Sequence, residues 1–142
     1  MSKSTDFRRG RHVVYALQAH LVFVPKYRRS VLTERVFEIL RTTWQQVCQD
    51  FECELRETDW EHDHVHLLVG YPPKVALSKL VNSLKGVSAR RVRAAQLPEV
   101  SAKLGGDHFW SPSYCAVSCG EAPLEIVRRY VEQQCGGASS PP

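Results

Sequence analysis

Residues 60–71, Trp-Glu-His-Asp-His-Val-His-Leu-Leu-Val-Gly-Tyr, decide how this chain folds and what it can do. In a β-strand successive side chains point to opposite faces. His62, His64, His66 and Leu68 therefore share one face, while Val65, Leu67 and Val69 follow Asp63 on the other. One side belongs to a core, and the other sets imidazoles about 6.5–7 Å apart along the chain. Two neutral imidazoles at that spacing can grip one divalent cation, although a His pair in a strand also serves as plain surface.

Upstream, Phe51, Cys53 and Leu55 alternate with Glu52, Glu54 and Arg56, which reads as a half-exposed strand. Glu57 to Glu61 turn that strand into the histidine strand, so the two should pair as an antiparallel hairpin. Before it, Thr33 is a suitable N-cap, and Phe37, Leu40, Trp44 and Val47 recur at helical spacing to about Asp50. Earlier still, Val13, Tyr15, Leu17, Ala19, Leu21 and Phe23 form one face of a long strand, with Gln18 and His20 on the other. Pro25 ends it. The loop Lys26-Tyr27-Arg28-Arg29 sets an aromatic among cations, which suits stacking on nucleic acid as well as ordinary solvation. Residues 1–11 read as a basic, poorly ordered arm.

Downstream of Pro72-Pro73, Leu77, Leu80, Val81, Leu84 and Val87 make the apolar stripe of a second helix. From Lys74 to Leu97 the cations are Lys74, Lys79, Lys85, Arg90, Arg91 and Arg93, with no acid among them. Such one-sided charge suits phosphate contact. Gly86 costs that helix about 1 kcal/mol against Ala, which points to close approach by a neighbour or a phosphate. Gly105-Gly106 marks a turn, and Phe109 to Ser118 reads as a last strand, at an edge or bulged because of Pro112. Cys115 and Cys119 share a face of that strand, more as packing than as ligands. Pro123 opens a final helix that Gly136-Gly137 ends, and residues 137–142 read as a disordered tail. On that helix Tyr130 and Gln134 project one turn apart, a nucleophile beside a metal-ligand type.

The 142 residues bound these readings to one domain, residues 12–136, large enough for its own core. Five cysteines, an odd number without a C-x-x-C pair, argue for reduced thiols in a cytosol-like compartment. No apolar run approaches a membrane span, so the expectation is a cytoplasmic protein, nucleoid-associated when on DNA. The net charge of +4 is mild, and its concentration in two segments matters more than its size.

The chain resembles the single-tyrosine His-hydrophobic-His transposases of the insertion sequence 200/605 family. The resemblance rests on His20 with Lys26-Tyr27-Arg28, on Asp63-His64-Val65-His66-Leu67-Leu68-Val69, and on Leu84-Lys85-Gly86. It continues through Phe109-Trp110-Ser111-Pro112-Ser113-Tyr114 and Tyr130-Val131-Glu132-Gln133-Gln134, in family order. One departure is His62, which stands where the family usually has Pro and adds an imidazole to the metal face. The resemblance implies an α+β, ferredoxin-like (RRM-like) βαββαβ antiparallel sheet with an appended C-terminal helix carrying the tyrosine. The element order read above gives the same string. It further implies a homodimeric enzyme that nicks and rejoins single-stranded DNA near hairpin ends with Mg²⁺ or Mn²⁺.

In that scheme His64, His66 and the Gln134 side-chain oxygen hold the cation, and Tyr130 is the nucleophile that forms a 5′-phosphotyrosine. Two nitrogens and a neutral oxygen suit an exchangeable hard or borderline metal better than structural zinc. Lys85, Arg90, Arg91 and Arg93 would follow phosphates, with Lys26, Tyr27 and Arg28 as the stacking loop. With strand order 4-1-3-2 the last strand lies about 10 Å from the histidine strand. A helix of similar width lets either its own tyrosine or a partner's reach the histidines. The resemblance favours the partner's.

Other readings compete. An RRM-type RNA binder would need aromatics where Gln18, His20, His64 and His66 stand. A zinc hydrolase using His62, His64 and His66 would take three ligands from one strand, a poor tetrahedral clasp. A replication initiator or relaxase would share the chemistry in a longer chain.

Overall fold

The computed structural model describes residues 8–9 and 14–118. Tyr130, Gln134 and their helix, Cys119, most of the N-terminal arm and the C-terminal tail lie outside the described residues. The histidine strand forms where its alternation demands it. It spans Val65–Gly70 as β5, with Val65, Leu67 and Val69 fully buried on one face and His66 and Leu68 half-buried on the other.

Among the described residues six strands and three α-helices follow one another, with a 3-10 turn at Lys26–Arg28 after the third strand: β1 (Arg8–Arg9), β2 (Val14–Tyr15), β3 (Gln18–Phe23), α1 (Glu34–Asp50), β4 (Glu54–Trp60), β5, α2 (Leu77–Ala94), α3 (Pro98–Leu104) and β6 (Cys115–Ser118). The main sheet has the order β4-β5-β3-β6, and every neighbouring pair is antiparallel. This is the expected 4-1-3-2 arrangement when β3, β4, β5 and β6 are counted as the four principal strands. β5 is thus an interior strand, paired through His66 to Val22 on one side and Asp59 on the other.

The two long helices pack over the face that carries Ala19, Leu21, Phe23, Val65, Leu67 and Val69, and Trp44 of α1 is buried at the middle of this core. Its ring meets Phe23 edge-on at 6.0 Å and stacks on Trp110 at 6.1 Å. Its Nε1 donates to the carbonyl of Leu84 in α2 at 3.1 Å, so the indole ties the helices together while satisfying its own polar atom. Thr33 caps α1 as expected, its Oγ1 accepting from the Val36 amide at 3.3 Å. The same hydroxyl donates to Glu99 of α3 at 2.8 Å. The Arg35 guanidinium beside Glu99 holds that carboxyl down at about 2.

Four expectations need correction. The long first strand breaks at Ala16–Leu17, where Leu17 is 38% exposed. Its partner β5 runs out at Gly70, opposite Gln18, so the preceding residues pair with β1 instead. The turn of the central hairpin falls at Glu61–His64, closed by a bond from the Glu61 amide to the His64 carbonyl at 2.8 Å, rather than at Glu57–Glu61. A register shift between Leu55 and Glu57 lets β4 run on to Trp60, whose ring stacks on Phe37 at 5.7 Å. A short helix, α3, occupies residues read as part of a connection, started by Pro98 at its first turn and ended at Gly105 with φ +56°. The last strand is only Cys115–Ser118, because Pro112 interrupts the ladder after the isolated pairing of Pro25 with Trp110.

Candidate metal and nucleic-acid site

The open face of the sheet brings three histidines together. His66 projects from β5, His64 precedes the first residue of that strand, and His20 projects from β3, the neighbouring strand. The His64 and His66 rings meet at 4.7 Å between centroids, nearly perpendicular at 78°. His20 lies 6.1 Å from His66. The hairpin turn displaces His62 from the face predicted for it. Its side chain is 78% exposed and only approaches Asp63, at 3.7 Å.

Asp63 itself faces inward, as alternation predicts, but into a polar contact. It is 6% exposed, and its Oδ1 accepts from His64 Nδ1 at 2.8 Å. Its Oδ2 is ion-paired with Arg28. With the Nδ1 proton held by Asp63, the lone pair of His64 is on Nε2, the arrangement an imidazole ligand requires. Burial is the main cause that pushes the pKa of His64 below its ordinary value, with Arg28 adding to it against the opposing charges of Glu61 and Asp59. Burial lowers His66 too, helped by His64 and His20, and burial lowers His20 against the charge of Glu57. All three are therefore held neutral near pH 7, as cation ligands must be. A groove of about 630 Å³ opens beside this cluster, lined by His20, His66 and Leu68 with Arg56, Glu57, Thr58 and Asp59.

Among the described residues no group of three or more His, Cys, Asp or Glu side chains could hold a metal ion. The His62-His64-His66 triad of the zinc-hydrolase reading therefore does not form. His64 and His66 supply two nitrogens and leave the remaining positions to other donors. The RRM reading also loses its basis, because the open face carries imidazoles where an aromatic stacking pair would be needed.

Lowered histidine pKa values have a consequence for stability. The folded chain favours the neutral rings, whereas the unfolded chain takes up protons near the ordinary value of 6.5. The contribution is complete above that pH and is lost as pH falls below it. In metal-free buffer the melting temperature should drop on going from about pH 7 to about pH 5. A melting temperature that is flat or rising on acidification contradicts this account.

The residues expected on nucleic acid separate into two groups. Tyr27 is 59% exposed, with Lys26 Nζ at 5.3 Å and Arg29 Cζ at 5.6 Å from its ring centroid. The phenol donates to Asp107, which raises its pKa. Arg90 and Arg91 are exposed on α2, the layer opposite the histidine face. The others are occupied within the chain. Arg28 holds Asp63. Lys85 donates to the carbonyls of Ser111 and Ser113 at 2.7 and 3.1 Å, and burial lowers its pKa. Arg93 donates to the Gly105 carbonyl at 2.5 Å. Gly86 is not forced by a neighbour, since a Cβ there would meet only Arg90 Nη1 at an ordinary 3.6 Å. Arg29, part of the basic loop in the sequence but not among its expected binding residues, flanks Tyr27, and Asp63 is the partner of His64 that the sequence did not identify. The first was legible in the run Lys26-Tyr27-Arg28-Arg29, and the second needed the hairpin turn.

Comparisons with known proteins place the chain in a family and match its fold. Residues 13–134 match the family model described as "Transposase IS200 like". The ISDra2 transposase TnpA of Deinococcus radiodurans is 35% identical over 129 residues, 91% of each chain. The transposase for insertion sequence element IS200 of Salmonella typhimurium is 26% identical over 123 residues, 87% of this chain and 80% of that one. A crystal structure of a candidate transposase from Deinococcus radiodurans R1 superposes with a TM-score of 0.80 at 34% identity, covering 89% of this chain and 97% of the other. A REP-associated tyrosine transposase bound to a REP hairpin shares the fold, with a TM-score of 0.55 at 17% identity over 88% of this chain and 68% of the other.

Proposed function

The chain belongs to the IS200-like transposase family, and from that premise we propose that it cleaves and rejoins single-stranded DNA at the ends of an insertion sequence. The observation that carries this reading is the pair of neutral imidazoles, His64 and His66, side by side on an open sheet face at 4.7 Å. That donor chemistry fits a divalent cation that still needs further ligands. His64 Nε2, His66 and the Gln134 side-chain oxygen would hold Mg²⁺ or Mn²⁺, which supplies Lewis-acid polarisation of the scissile phosphate.

The chain's own groups carry the remaining steps. Tyr130 Oη attacks phosphorus, its P–O bond forms as the P–O3′ bond breaks, and the phenolic proton ends on the departing 3′-oxygen. The products are a 5′-phosphotyrosine and a free 3′-OH, with no water consumed, so another 3′-OH can reverse the step and join a new strand. Tyr27, flanked by Lys26 and Arg29, offers an unpaired base a stacking surface with cations beside it for the flanking phosphates. Arg90 and Arg91 remain as phosphate contacts on α2.

The test is incubation with pooled, end-labelled hairpin single strands and Mg²⁺. A covalent protein–DNA band that requires metal supports the reading. Binding without any covalent product favours a non-catalytic single-strand binder. His64→Ala or His66→Ala should each cut cleavage by more than about 100-fold, since loss of an outer-shell partner alone costs about 10- to 100-fold. His62→Ala should stay within about threefold of wild type, because that ring stands outside the face. Equal losses at all three positions would restore the triad reading.

A further inference from the structure

Arg28 sits in an expensive place. It and Tyr27 both adopt left-handed backbone, with φ of 53° and 58°, which side chains other than glycine rarely take. The turn they make sends Tyr27 out to solvent and Arg28 inward, where its side chain is 15% exposed. There Nη2 meets Asp63, while Nη1 is buried without a hydrogen-bond partner. Local stability favours none of these features: the backbone is strained, a guanidinium is desolvated and one donor is left unmet. What the placement accomplishes is to neutralise Asp63, a carboxylate that is itself 6% exposed and bonded to His64 Nδ1.

We propose that Arg28 and Asp63 are positioning residues for the cation-binding pair: Arg28 fixes the Asp63 carboxylate, and Asp63 fixes the ring of His64 as the Nδ1–H tautomer with Nε2 free. The proposal rests on His64 being a ligand. It also reassigns Arg28 from the phosphate contact that its basic loop suggests to a role inside the site. The loop that presents Tyr27 is thereby joined to the histidine face through three successive side chains, Arg28, Asp63 and His64. Lys would not reproduce this link, because the planar guanidinium matches a carboxylate in a way that an ammonium point charge does not.

The test begins with metal-free protein labelled with ¹⁵N in its histidines. Long-range ¹H–¹⁵N spectra report which ring nitrogen of His64 carries the proton. Wild type should show the Nδ1–H form, while Asp63→Ala and Arg28→Met should shift His64 toward a mixture or toward Nε2–H. His20 should keep its signature. Mn²⁺ affinity, read by electron paramagnetic resonance, should weaken about 10- to 100-fold in both variants, with Arg28→Lys recovering only part of the loss. If Asp63→Ala does not fold, Asp63→Asn keeps the shape and removes the charge, and its spectrum decides instead.

The salt dependence of hairpin binding separates the two roles of Arg28. A positioning residue leaves the slope of log K against log salt unchanged, whereas a lost phosphate contact reduces it by about one unit. An unchanged His64 tautomer and unchanged Mn²⁺ affinity in folded Asp63→Ala or Asp63→Asn protein overturn the proposal. So does a reduced salt slope with an unchanged tautomer in Arg28→Met. The tautomer comparison needs neither metal nor DNA, so it decides the proposal even where wild-type protein fails to cleave. Failure of wild type to bind Mn²⁺ counts against the proposed function instead.

Discussion

Tyr130→Phe should leave hairpin binding within about twofold of wild type and remove the covalent protein–DNA product altogether. Deleting the attacking atom of a nucleophilic enzyme costs about four to six orders of magnitude, and phenylalanine keeps the ring while losing only Oη. Two of the described tyrosines are engaged elsewhere. Tyr27 donates its hydroxyl to Asp107, and Tyr114 lies under Lys85 at 5.6 Å beside the last strand. A persisting adduct would have to be mapped by peptide mass to Tyr71 or Tyr114, and would move the nucleophile away from Tyr130.

The same variant serves a second purpose. If two subunits share each site, a Tyr130→Phe chain mixed with a His64→Ala/His66→Ala chain restores one complete set of residues, and cleavage returns. If each site is self-contained, the mixture stays inactive. Inactive mixtures in which heterodimers are demonstrated would exclude the shared arrangement.

Trp44→Ala should produce the largest loss of stability of any single replacement in the described core. The indole is fully buried among Phe23, Phe37 and Trp110 and donates across to α2. Removing a buried Trp costs about 3–5 kcal/mol, partly through the cavity left behind. For a domain of this size the melting temperature should fall by on the order of 10 °C or more. Trp44→Phe should be milder, since it keeps most of the apolar contact but gives up the bond to the Leu84 carbonyl. Urea unfolding at constant m-value checks both, and a midpoint for Trp44→Ala close to wild type would show that this ring does not anchor the two helices.

Much of this was written in the sequence because period-two and period-3.6 patterns are direct readouts of burial. Val65, Leu67 and Val69 assigned the core face of β5 and left His66 on the other, and Thr33 fixed the start of α1. What alternation could not convey was where a partner strand stops. The pattern through Ala16 and Leu17 continues unbroken, yet β5 ends at Gly70 and the ladder ends with it. The exit of His62 from the histidine face has a similar cause. The bulge after Leu55 carried β4 past the expected turn, and the turn then fell on His62 itself. Charge was the least informative signal. A run of cations identified a basic helix but could not tell Arg90 and Arg91, which face solvent, from Lys85 and Arg93, which hold neighbouring carbonyls. The short helix α3 carried its own marks in Pro98, Glu99 and Gly105.

The interior position of β5 also sets a timescale. A strand hydrogen-bonded along both edges gives up its amide protons only through openings that dismantle the sheet, whereas loops exchange through small local fluctuations. His66 therefore sits on a strand whose amides exchange through opening of the sheet, while the side chain of Tyr27 lies out in solvent. On the proposed function, a cation would come and go at His66 within the lifetime of one folded sheet, and a DNA strand would be gripped and released at the exposed ring of Tyr27. Recognition and chemistry would then be set apart in the molecule, one at an exposed side chain and the other on a strand that hardly moves.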